Sequence, residues 1–97
     1  MIYEYEDRFL IDGLDERTIE NIEAQKYTFA LNKLNIDDPY YLEKITKALT
    51  YMELAKMQLE SEGMRAKYEI YKGEYEHFLK LATSTGSEIF TIGVQRG

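Results

Sequence analysis

The chain has no cysteine, no tryptophan, one proline and one histidine among its 97 residues. Without cysteine there is no disulfide, no thiolate nucleophile and no thiolate metal site. A single histidine leaves a tetrahedral zinc site short of ligands. No apolar run approaches the roughly 20 residues of a membrane-spanning helix. The opening MIYEYEDRFL lacks the basic-then-apolar layout of a secretory signal. Gly13, Gly63, Gly73 and Gly86 stand isolated, so no phosphate loop, dinucleotide fingerprint or nucleophile elbow can be traced. These absences predict a cytoplasmic protein with no membrane partner, no cofactor and no metal.

What is present is a chain of the size of one domain, 1–97, with 44% hydrophobic and 31% charged residues. That balance suits a globular or assembly-forming protein and argues against disorder, although a core of this size is thin. The net charge of −6 is lopsided. Residues 1–23 hold eight acids (Glu4, Glu6, Asp7, Asp12, Asp15, Glu16, Glu20, Glu23) against Arg8 and Arg17, while the remainder balances. An acidic end repels phosphate backbones, so direct nucleic-acid binding is not expected. It can serve as a solvated face, or as a patch centred on Glu4, Glu6 and Asp7 that docks on a basic partner.

Residues 2–11 read either as a strand, through alternating Tyr3, Tyr5, Phe9 and Ile11, or as a helix, through Ile2, Tyr5 and Phe9. Asp12-Gly13 is turn chemistry. A helix is predicted over 15–34, with Asp15 as N-cap and Leu14 and Ile19 at the spacing of a hydrophobic staple. A second is predicted over 38–62, where Asp38-Pro39 supplies a cap and a proline at the first helical position. Its seam is Leu42, Ile45, Leu49, Met52 and Leu59.

Beyond Gly63 a seam of Met64, Tyr68, Tyr71, Tyr75, Phe78 and Ala82 continues over 64–83, shifted by one residue. Either one long helix slips there, or Gly63 ends the second helix in a Schellman stop with Leu59 touching Met64; the fit of both apolar positions favours the stop. Thr83-Ser84-Thr85-Gly86-Ser87 reads as a turn. Residues 88–94, with Ile89, Phe90 and Ile92, read as a strand-like tail that must pair with residues 2–11 or with another chain. The expected fold class is mainly α: a two- or three-helix antiparallel hairpin or bundle with a short terminal β-strand at one or both ends.

Two features of the third helix invite chemistry. Glu74 and His77 form a Glu-x-x-His pair, but a di-iron bundle needs two such pairs and two further glutamates, which only a symmetric dimer would supply. His77-Phe78-Leu79-Lys80 resembles part of the His-x-Leu-Lys-Gly core of histidine-containing phosphotransfer domains. That resemblance implies a helical bundle with a phosphate-accepting His77; it covers four residues, and Leu81 stands where the pattern has glycine. Carboxylates elsewhere fall into helical charge patterns such as Glu43 and Lys47, so acid–base catalysis has no support and no enzyme is predicted.

The nine tyrosines are the richer signal. Tyr68, Tyr71, Tyr75 and Phe78 share one helical face. They form either a core seam with hydroxyls at its rim or an interface with another chain, where tyrosine is enriched. Stacking of nucleobases on these rings would also need a basic groove, which is lacking. The predicted function is therefore non-catalytic: self-association into a homo-oligomer, or docking on another protein, through the Tyr/Leu seam and the tail. A small phage connector or assembly subunit is one version. The alternatives are an acidic inhibitor that covers a basic, nucleic-acid-binding site on a partner, and a His77 phosphotransfer module.

Overall fold

The amino-terminal nitrogen and the N–H groups of Ile2, Tyr3, Glu6 and Asp7 bond to side chains instead of a neighbouring strand, and this decides how the chain begins. In the computed structural model, which describes residues 1–88 and side chains through Ser84, Met1–Glu6 form neither helix nor strand and bend at Tyr3. Only Arg8–Ile11 (α1) closes a helical turn. No strand occurs among the described residues. Of the two readings of 2–11, the strand does not form and the helix forms only over Arg8–Ile11; Glu23 and Tyr51 accept from the N–H groups of Ile2, Tyr3, Glu6 and Asp7 in place of a ladder. The proposed tail strand falls mostly on 89–94, outside the described residues.

Helix α2 spans Glu16–Thr28, and the Asp15 carboxylate accepts from the Arg17 N–H at 3.3 Å. It widens into a π-helical turn over Phe29–Lys33, where the Leu34 N–H reaches the Phe29 carbonyl. Asn35 then adopts φ of 58°, a left-handed conformation that asparagine tolerates, and the Ile36 N–H closes back on Ala30.

Helix α3 spans Pro39–Lys56, capped by Asp38 on the Tyr40 N–H at 2.9 Å. It ends at Lys56, seven residues before Gly63, correcting the expected stop at that glycine. The Met57 N–H donates to the Glu53 carbonyl, the Gln58 side chain to Leu54 and the Gln58 N–H to Ala55, so these last-turn carbonyls are satisfied without a glycine. Helix α4 spans Glu62–Glu88 and starts on Ser61, whose hydroxyl accepts from the Met64 N–H. Gly63 has another use: a Cβ there would lie 2.8 Å from the Phe9 ring, so the glycine admits α1's aromatic side chain.

The turn expected at Thr83–Ser87 does not form. Thr83 donates to the Leu79 and Lys80 carbonyls and Ser84 to Lys80, so hydroxyls bond back into the helix and α4 runs on.

Tyr40 meets Phe78 at one end and Tyr51 stacks on Tyr71 at the other, so α3 and α4 are antiparallel. α3 is central. Leu10, Ile19, Ile22, Tyr51, Leu54, Ala55 and Met64 form one buried cluster, bringing α1, α2 and α4 onto its C-terminal half. Ala30, Ile36, Leu42, Ile45 and Leu49 form a second around its N-terminal half. Thr46 and Thr50 are also buried; Thr50 donates to the Thr46 carbonyl, while the Thr46 hydroxyl has no partner among the described residues. Mainly helical, compact packing is the result.

Candidate functional site

The densest polar arrangement holds the extended N-terminal segment against α2, α3 and α4. On α2, Glu23 follows Ile19 and Ile22 on the inward face and is 2% exposed. A buried carboxylate needs donors, and it has three. Its two oxygens accept from the N–H groups of Ile2 at 2.7 Å and Tyr3 at 2.9 Å, and from the Tyr5 hydroxyl at 2.9 Å. The Met1 ammonium, which pairs with Glu20 at 2.9 Å, fixes the segment's start.

Further along, the Tyr51 hydroxyl of α3 accepts from the N–H groups of Glu6 at 2.7 Å and Asp7 at 3.1 Å. Asp7, its side chain largely buried, accepts from Lys67 at 2.8 Å and from the Tyr71 hydroxyl, both on α4. Tyr5, Tyr51 and Tyr71 touch in sequence, edge to face and then stacked, at 5.3 and 4.4 Å between ring centres. The segment is therefore a strap that bridges the helices through two acids and three tyrosines.

Beside the strap, an open cleft of about 510 Å³ lies between α3 and α4. Its cations already have partners: Lys47 pairs with Glu6 at 3.2 Å, Lys67 with Asp7, and Arg8 with Asp12 at 2.9 Å. Lys44 lies over the Tyr40 ring. Three of the four cations that line the cleft are thus ion-paired within the chain.

Titration follows from this geometry. Burial alone would raise the Asp7 carboxyl, but hydrogen bonds from Lys67 and Tyr71 and the Lys67 charge outweigh it and hold the group below its usual value of 3.8. Burial pushes the Tyr71 hydroxyl well above its usual 10, reinforced by Asp7. Burial likewise raises Tyr5, against the Thr50 hydrogen bond and with that to Glu23, and it raises Tyr51 against the donors Asp7 and Glu6.

The sign at each end is set by these directions. A lowered carboxyl contributes stability that is present above 3.8 and lost as pH falls through the folded value; a raised phenol contributes stability present below 10 and lost as pH climbs past it. Denaturation midpoints should hold between about pH 5 and 9 and fall on both sides. In Asp7→Asn the loss below pH 4 should shrink, because the group that titrates there is gone. An unchanged acid limb in that variant would remove Asp7 from this account.

Of the residues singled out in the sequence, Tyr68 and Tyr71 pack on the first cluster, and Tyr75 and Phe78 on the second. All four are half-buried within the chain. Glu4 is exposed, whereas Glu6 and Asp7 engage Lys47 and Lys67. Ile89, Phe90 and Ile92 lie outside the described residues. His77 is exposed, its ring edge-on to Phe78 at 5.1 Å. Among the described residues no group of three His, Asp or Glu side chains could hold a metal ion, and no helix is long and apolar enough to cross a membrane.

The sequence by itself gives Thr50 and Lys67 no role, and it shows Glu23 only as one of the acids of 1–23 and Tyr51 only as one of the nine tyrosines. The available signal for Glu23 was a charge on the stripe of Ile19 and Ile22. Lys67 sits similarly between Met64 and Tyr71 at three-four spacing.

Compared with known proteins, the chain matches no family model, no curated protein and no solved structure.

Proposed function

We propose that this chain is a non-catalytic interaction protein that self-associates or docks on another protein chain in the cytoplasm. The observation that carries the reading is the incomplete burial of α4. From Met64 to Ser84 only Met64 is buried, so the longest helix keeps most of its surface open after α3 has covered the tyrosine seam. Open apolar surface on a small helical hairpin is the usual substrate of association. The β-prone sequence 89–94 is a second contact in this proposal, adding a strand to a neighbouring sheet. A connector or assembly subunit suits such a chain.

The acidic-inhibitor reading has less support, since Glu6, Asp7, Glu20 and Glu23 are engaged within the chain. Phosphotransfer rests on the exposure of His77 and on four residues of pattern.

Light scattering on a sizing column tests the proposal. Self-association predicts a mass that rises above the monomer toward high micromolar concentration. A constant monomer mass would overturn self-association and leave only docking on a different protein. Deleting residues 89–97 should lower the oligomer size; an unchanged size would remove the tail from the proposal.

A further inference from the structure

Helix α4 carries a second stripe on the side away from α3: Ala66, Ile70, Gly73, His77, Leu81, at three-four spacing and without a charge. All five are exposed, Ile70 at 53% and Leu81 at 39%. Gly73 lies mid-helix, where glycine costs about 1 kcal/mol against alanine. Nothing lies within 4 Å of a Cβ built on it, so packing within the chain does not require glycine there.

Beside the stripe runs Arg65, Glu69, Lys72, Glu76, Lys80, charges of alternating sign. Glu69, Lys72, Glu76 and Lys80 take part in none of the ion pairs found among the described residues.

We propose that the outward face of α4 pairs antiparallel with the same face of a second copy of this chain, about a two-fold axis level with residue 75. This inference rests on the self-association reading and names its surface.

One register brings the apolar stripe and the charged strip onto complementary partners together. With the axis at that level, Gly73 of each copy faces His77 of the other, and the missing Cβ leaves room for the imidazole. Ile70 falls beside Leu81 of the other copy on one flank. On the other flank Glu69 falls beside Lys80, and Lys72 beside Glu76. Every such contact occurs twice, as a two-fold, self-complementary interface requires. Glu74 and Glu76 each come level with their own counterparts in this register; Lys72 of the other copy lies at the same level beside Glu76, and Glu74 lines the cleft that Lys44, Lys47 and Lys67 also line. The opposite signs across the flank are what select a second copy as the occupant, because the strip complements itself only when reversed. A single helix pair lies at the small end of specific interfaces, so the dissociation constant is on the order of micromolar.

Sedimentation velocity over a range of concentrations tests this on the full chain, with circular dichroism confirming that each variant folds; the substituted sites are exposed. Ile70→Glu and Gly73→Leu are expected to weaken the dimer at least about tenfold, although leucine is the better helix former. Lys80→Glu alone should weaken it, and Glu69→Lys combined with Lys80→Glu should restore it. A wild-type chain that associates while all these variants associate equally would overturn this surface and leave the self-association reading standing. A wild-type chain that stays monomeric throughout would overturn both.

Discussion

Leu54→Ala is expected to destabilise the fold by about 2–5 kcal/mol. The side chain is fully buried at the point where four elements meet: it shares a cluster with Leu10 of α1, Ile19 and Ile22 of α2, and Met64 of α4. The cost depends on how far a site can collapse into the space left by the removed atoms. Here the walls belong to four separate helices, each held by its own caps or by the strap, so collapse in one direction opens a gap in another. A chain of this length has a net stability of roughly 5–15 kcal/mol. The variant therefore loses a large share of it. Urea denaturation should show a lower midpoint with an unchanged slope, whereas Leu31→Ala at an exposed position should stay within about 0.5 kcal/mol. Equal midpoints for the two variants would contradict the central place given to this cluster.

Glu23→Ala is the second large effect, about 2–4 kcal/mol. The carboxylate is the acceptor for Ile2, Tyr3 and Tyr5. Its removal strands two backbone donors and a phenol that have no other strong acceptor nearby; Thr50 stands 3.5 Å from the Tyr5 hydroxyl. Hydrogen bonds to a charged acceptor are worth more than neutral ones, and the loss of one buried partner exposes the full desolvation cost of the others. Release of the strap to water limits the damage, so the observable signature is local. Amide exchange at Ile2 and Tyr3 should rise to that of an open chain, while amides within α3 keep their protection relative to global stability. Glu23→Gln tests the chemistry more finely. It keeps the shape but turns one acceptor into a donor facing donors, and it should recover little of the loss. Unaltered exchange at residues 2–3 in either variant would show that the strap is held by other means.

The boundaries that could be read from residues alone were those set by local chemistry. Asp15 and Asp38-Pro39 start their helices because a carboxylate next to free backbone donors is favourable wherever the chain lies. The mainly helical class follows from three-four spacing over long stretches. Ser61 before Glu62 is an equally local signal, since its hydroxyl accepts from the Met64 N–H at the start of α4. In contrast, Thr83–Ser87 has turn composition, but hydroxyls can satisfy either a turn or the helix behind them, and composition does not choose.

What only the tertiary structure decided is where long-range partners lie. Residues 2–11 have no preference between strand and helix. Residues 2–7 become a strap, ahead of the single turn of α1, because α2 and α3, from positions 18 to 45 residues away, present Glu23 and Tyr51 at hydrogen-bonding distance. The tyrosines of 68–75 were legible as a seam, but whether α3 or another chain covers it depends on a hairpin that folds back. Periodicity marks an inward face of α4; the opposite face stands out only when the open space at Gly73 and the exposure of Ile70 are known. Local rules act through neighbours in sequence and can be read there, whereas burial and pairing depend on neighbours in space, which the packing of α3 at the centre supplies.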